Sequence, residues 1–243
     1  MPVGVIINSL AIFIGGIAGG LVGHRLAQDF KDNLSMIFGV CSMGLGISTI
    51  VVMQNLSAVI FSVVLGTALG LGIHLGDKIN VAAQGMQTVV SKFITNGRTE
   101  LSQDEFTATL VTVIVLFCIS GTGIYGSIVS GMTGDHSILI AKSILDAFTA
   151  MIFACTLGLV VATIAIPQLI IYLLLFFSAR LIFPLTTPMM IDDFKAVGGI
   201  LMLATGFRMI KVRMFPTADM IPAMILIMPV SWFWTTYIAP LLA

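Results

Sequence analysis

The chain has 243 residues, of which 58% are hydrophobic and 9% charged, with 11 basic against 11 acidic side chains. An ordinary soluble domain carries roughly 25% charge, so this composition is wrong for a water-facing surface. A net charge of zero leaves nucleic acid and strongly charged surfaces out as partners.

The partner that fits is the lipid bilayer. Apolar runs near the ~20 residues a spanning helix needs recur from Val3 to the C-terminus. The predicted fold is an all-α polytopic bundle of about eight spans in a single integral membrane domain over residues 1–243. Cys41, Cys118 and Cys155 all fall within apolar runs. Their spacing suits neither a metal site nor a disulfide framework, and no cofactor or metal is expected. The N-terminus has no basic leader region and reads as a retained span.

In chain order the spans are placed at 3–23, 34–53, 57–76, 106–131, 138–165, 167–183, 194–210 and 220–241. The sixth is short, with Pro184 and Pro188 after it, and reads as tilted or re-entrant. Alternating the loops puts Arg25, Lys31, Lys78, Lys92, Arg98, Arg208, Lys211 and Arg213 on one side. Lys142, Arg180 and Lys195 fall on the other. Basic residues collect on the cytoplasmic side, so both termini are expected outside the cytoplasm.

The first and third spans carry glycine stripes, at Gly15, Gly16, Gly19, Gly20 and Gly23 and at Gly66, Gly70, Gly72 and Gly76. Small residues at this spacing let helix backbones approach closely. That serves packing within the bundle, and it also offers a face for a homo-oligomer. Asn8, in the first span, is placed to hydrogen-bond across helices. The polar gap at about 77–105 has an apolar stripe at helical spacing, from Ile79 to Ile94, and is expected to lie on the cytoplasmic surface. It is either a plain connector or a docking segment. Asn96-Gly97 ends it, and Ser102 with Glu105 makes a capping box.

The fourth span contains Ser120-Gly121-Thr122-Gly123 at mid-depth. Clustered glycine weakens a helix, and neighbouring Ser or Thr can recapture freed backbone groups. A break there would expose polar backbone where transporters bind substrates. A packed, unbroken helix is the alternative.

The fifth span holds the strongest functional signal, in Lys142, Ser143, Asp146 and Thr149. Lys142 and Asp146 are four apart and share a helix face. A lysine near a span end can reach the interface, whereas a short aspartate cannot. Burying the carboxylate costs at least ~2.5 kcal/mol, which a partner, an ion, water or a proton must offset. Two readings stay open: a structural Lys142–Asp146 pair, and a substrate or ion site in a central cavity. Asp135 and His136 would then stand at its outer mouth.

The chain also echoes itself. Asp29-Phe30-Lys31 and Asp193-Phe194-Lys195 lie between spans, five spans apart. An odd offset is the mark of an inverted repeat of N- and C-terminal three-span units. At the other polar positions, His74 reads as interfacial, Arg208 with Lys211 and Arg213 as a headgroup contact, and Trp232, Trp234 and Tyr237 as an aromatic belt.

These residues resemble the DUF554 family of bacterial membrane proteins. The similarity is densest at Tyr125-Gly126-Ser127-Ile128, Gly131, Gly134-Asp135, the run from Lys142 to Phe148, and Ala154-Cys155-Thr156-Leu157-Gly158. It continues at Gly198-Gly199, Gly206 and Pro222-Ala223. Val129-Ser130 stands where the family pattern has an acidic pair, and Arg208 where it has an amide. The resemblance implies a bacterial inner-membrane location and singles out Lys142 and Asp146, but supplies no reaction.

The leading expectation is a secondary transporter or channel-like carrier for a small polar solute or ion. Its site would comprise Asp146, Lys142, Ser143, Ser120, Thr122, Gly121, Gly123 and Asn8. The alternative is a non-transporting scaffold or regulatory subunit. An enzyme is not expected, since no HExxH, GxSxG or nucleotide motif is present.

Overall fold

The computed structural model describes residues 1–22, 28–93, 103–118 and 120–242. In chain order the helices are α1 (Val3–Val22), α2 (Gln28–Ile50), α3 (Leu56–Gly72), α4 (Leu75–Phe93), α5 (Gln103–Cys118) and α6 (Gly121–Thr133). They continue as α7 (Ser137–Leu157), α8 (Val160–Thr163), α9 (Ala165–Ile182), α10 (Pro188–Met209), α11 (Pro222–Phe233) and α12 (Ala239–Leu242). A π-helical turn at Trp234–Ile238 joins the last two. No strand occurs among the described residues, and the all-α membrane fold stands.

Six of these stretches are long and apolar enough to cross a membrane among the described residues, or seven if α3 and the start of α4 count as one span bent by 62°. α10 is as long as the others but carries Asp192, Asp193, Lys195 and Arg208. The Asn96-Gly97 turn and Ser102 lie outside the described residues.

Two placements differ from the sequence reading. The sixth span is not short: it runs 22 residues, Val160–Leu181. The fifth ends early because Gly158, at φ 78°, caps α7 in a conformation that side chains rarely adopt. The second difference concerns the repeated tripeptides: Asp29-Phe30-Lys31 is helical, in the first turn of α2 just ahead of the apolar span that starts at Asp32, and Asp193-Phe194-Lys195 lies inside α10, at its sixth to eighth residues, rather than before it. α10 starts early because the Thr187 hydroxyl accepts from the Met190 amide at 3.3 Å and Pro188 takes the first helical position.

The chain packs as two compact units, each discontinuous in sequence. One comprises Met1–Ser35 and Lys78–Ala179, the other Met36–Asp77 and Arg180–Ala243.

In the first unit α1 packs along α7 through its glycines. A Cβ on Gly15 would stand 2.1 Å from the Ala147 carbonyl oxygen, and one on Gly19 would stand 2.0 Å from that of Met151. Gly16 and Gly20 meet Ala162 and Leu159. Contacts advance together along both chains, so α1 and α7 are parallel. α6 and α9 are parallel too, with Gly123 against Tyr172 and Gly131 against Phe176. Beneath them lies a core of Ile12, Leu110, Ile114, Phe117, Ala150 and Val161.

In the second unit α2 packs on α10, with Gly39 against Gly206 and Gly46 against Gly199. α3 packs on α11 and its approach, with Gly66 against Ala223 and Gly70 against the Asp219 carbonyl. In both pairs one number rises as the other falls, so both are antiparallel. Gly15, Gly16, Gly19 and Gly20 of α1 and Gly66 and Gly70 of α3 are thus filled within their own units, whereas Gly72 is open.

Candidate functional site in the first unit

α7 is held at its start by a side-chain turn. The Asp135 carboxylate accepts from the Ser137 amide at 2.9 Å. Lys142 and Asp146 then fall one turn apart on its inner face, at 4% and 7% exposure. Asp146 is the tenth residue of the helix, roughly 14 Å from its start. Lys142 does not reach back to the interface. Its ammonium turns along its own helix and donates to Asp146 Oδ2.

A second donor reaches the same oxygen from α1. Asn8 Nδ2 donates to Asp146 Oδ2 at 2.8 Å. A carboxylate only accepts, so the Asn8 amide must present its nitrogen there. Its oxygen therefore faces away and accepts from Gln168 Nε2 of α9 at 2.8 Å. Gln168 Oε1 in turn accepts from the Ser9 hydroxyl. Every donor in this ladder points toward Asp146, and Asn8 and Gln168 are fully buried.

The ladder leaves capacity unused. Among the described residues no donor reaches Asp146 Oδ1, and Lys142, with three N–H groups, donates only to Asp146. Cys118 is buried within electrostatic reach of both, and Tyr172 within reach of Asp146.

The break in the fourth span adjoins this cluster. α5 ends at Cys118, and Ser120 caps α6 by accepting from the Gly123 amide at 3.2 Å. Tyr172, one turn beyond Gln168 on α9, donates to the Phe117 carbonyl at 2.7 Å and lies 3.4 Å from the Ser120 hydroxyl. A freed backbone oxygen is thereby recaptured by a side chain. The interruption is local, since Thr109–Thr133 still counts as one 25-residue span.

Asp146, Lys142 and Asn8 come together, with Ser120 and Gly123 joined to them through Tyr172 and Gln168. Gly121 begins α6. Thr122 is buried beside it and makes none of these bonds. Ser143 turns away: its hydroxyl donates to the Leu139 carbonyl at 2.6 Å. His136 Nδ1 pairs with the Ser130 hydroxyl at 2.7 Å, and Asp135 is exposed at the start of α7.

The sequence reading missed Ser9, Gln168 and Tyr172. Gln168 follows Pro167, where the span was expected to begin. It also missed Asp193, in the second unit, which is fully buried. Oδ1 of Asp193 accepts from the Gln54 and Asn55 amides at 2.9 and 2.8 Å, and Oδ2 from Asn55 Nδ2 at 2.8 Å and the Ser231 hydroxyl at 2.6 Å. This carboxylate seals the N-terminus of α3 and is saturated, unlike Asp146.

Residues 3–232 match the family described as "Protein of unknown function (DUF554)". The chain is similar to "Uncharacterized protein YqgA" of Escherichia coli (strain K12), at 46% identity over 242 residues, covering 98% of this chain and 100% of the relative. It is also similar to "Uncharacterized membrane protein YdfK" of Bacillus subtilis (strain 168), at 27% identity over 230 residues, covering 95% of each. No solved structure matches it.

Proposed function

The chain belongs to the DUF554 family, and we propose that it is a secondary carrier or channel-like pathway for a small polar solute or ion, not an enzyme, with Asp146 and Lys142 at its polar centre. The observation that carries this reading is the unused bonding capacity of a buried charged pair. A purely structural pair gains stability only when its remaining protons and lone pairs are satisfied. Asp193 has that satisfaction and Asp146 lacks it. The interrupted helix beside the pair supports the same reading, since broken spans supply backbone groups to solutes in transporters.

We place the protein in the bacterial inner membrane with eight crossings and both termini outside the cytoplasm. The packing directions support that count. Eight alternating spans require α1 and α7, and α6 and α9, to be parallel. They also require α2 and α10, and α3 and α11, to be antiparallel, as each pair is. Removing α10 from the count would make α3 and α11 parallel. The antiparallel α2 and α10, which each carry Asp-Phe-Lys in their N-terminal part, also support an inverted relation between their segments.

A scaffold reading has one observation in its favour: Lys142 and Asp146 sit on one helix and neutralise each other. A thermal-shift screen of the purified protein against ions and metabolites, followed by uptake into liposomes, separates the two. The carrier reading expects a ligand that stabilises the wild type and not Asp146→Asn. A folded protein that responds to nothing and passes nothing would favour the scaffold.

A further inference from the structure

Resting on the carrier reading, we infer that the solute is a small zwitterion with its opposite charges one carbon apart, as in an α-amino acid. The inference starts from the charge balance of the site. Lys142 and Asp146 sum to zero, and no other charged side chain bonds to them among the described residues. A lone cation entering here would meet the Lys142 ammonium, and a lone anion would meet the Asp146 carboxylate. In a medium of low dielectric either arrangement leaves one uncompensated charge. A zwitterion leaves none.

The unused bonding groups have the matching polarity. Lys142 retains N–H donors for a carboxylate, and Asp146 Oδ1 remains to accept from an ammonium. Both new bonds would be charge-assisted, the stronger class. Geometry then limits the size of the solute. Because Lys142 Nζ and Asp146 Oδ2 are in direct contact, the two charges of the solute must also lie close together to face them. An α-amino acid closes a four-charge ring of alternating sign, which a long ω-amino acid cannot do without folding back. The donor ladder from Ser9 through Gln168 and Asn8 ends on Asp146 Oδ2 and leaves Oδ1 as the face turned to the solute. Cys118 and Tyr172, the other titratable groups within reach, are buried against the pair from α5 and α9.

The test is a melting series on the purified full chain with glycine, 6-aminohexanoate, sodium chloride, sodium acetate, methylammonium chloride and urea as probes. Glycine should give a saturable rise of roughly 2–4 °C that the others do not match. Lys142→Gln and Asp146→Asn should each lose the response. Because either single variant can fail to fold, the double variant Lys142→Met with Asp146→Leu, which strands no charge, should stay folded and also lose it. A response to sodium chloride, acetate, methylammonium or urea equal to that of glycine would overturn the zwitterion assignment and leave a carrier of another class. Silence to every probe here, with a ligand of another class found in the wider metabolite screen, would do the same. Silence in both would remove the carrier reading itself.

Discussion

The Tyr172 hydroxyl occupies the place where a side chain at residue 123 would be: a Cβ built on Gly123 would stand 1.5 Å from Tyr172 Oη. That contact explains why the fourth span carries glycine where it is interrupted. The tyrosine needs the space to reach the Phe117 carbonyl.

Gly123→Ala should therefore lose far more folded protein than Gly126→Ala. At Gly126 the added carbon meets only the ends of Leu139 and Ile138 side chains, at 3.0 to 3.2 Å. Tyr172→Phe should cost about 1–3 kcal/mol by leaving a buried carbonyl without its donor. Thermal melts of the three variants in detergent check both statements. Equal melting of Gly123→Ala and Gly126→Ala would deny the contact its role.

The glycine stripes give a second contrast. Gly15→Ala and Gly19→Ala drive a carbon into the Ala147 and Met151 carbonyls and should separate α1 from α7. Gly44 and Gly72 have nothing within 4 Å of the added carbon. Alanine at those two positions should be neutral or stabilise by about 0.5–1 kcal/mol through helix propensity. Recovery of folded protein after purification is the readout.

A third prediction concerns orientation. Single cysteines at Asp135 and Thr186 should be labelled from outside the cell, and one at Val212 only after the membrane is opened. Asp135 and Val212 are exposed and Thr186 is half-buried. Labelling Asp135 and Val212 from the same side would require a different number of crossings.

The saturated carboxylate of the second unit makes a fourth. Asp193→Leu strands the Gln54 and Asn55 amides and the Ser231 hydroxyl, and should unfold the protein or cost several kcal/mol. Asp193→Asn keeps an acceptor for the two amides but faces Asn55 Nδ2 with a second donor, so its loss should be smaller. Melting temperatures of both variants decide the order.

The sequence made the membrane fold, the helical interruption near Ser120 and the Asn8, Lys142 and Asp146 cluster legible. Each rests on a local contrast, a polar or glycine residue inside an apolar run. Gln168 and Tyr172 were hidden for the opposite reason: an amide beside a proline and a tyrosine in a span look ordinary, and only their partners on α1 and α5 give them a role. Asp193 was hidden because a charged stretch reads as a loop. The donors that allow its burial come from the turn before α3 and from Ser231. The direction of the Lys142 side chain was also beyond the sequence, since reaching the interface and reaching Asp146 begin from the same residue and spacing.

The account turns on whether Asp146 works or merely holds. Breaking the pair at one side should cost roughly 3–5 kcal/mol by stranding the other charge, whereas replacing both with apolar residues strands no charge and should cost about 1–3 kcal/mol, for the Asn8 donor left without its acceptor. The most direct measurement is therefore solute response and melting temperature together on Lys142→Met/Asp146→Leu. The expected result is a folded protein that melts above either single variant and neither binds nor passes solute. A folded double variant that keeps full activity would contradict it and leave the pair as structural glue.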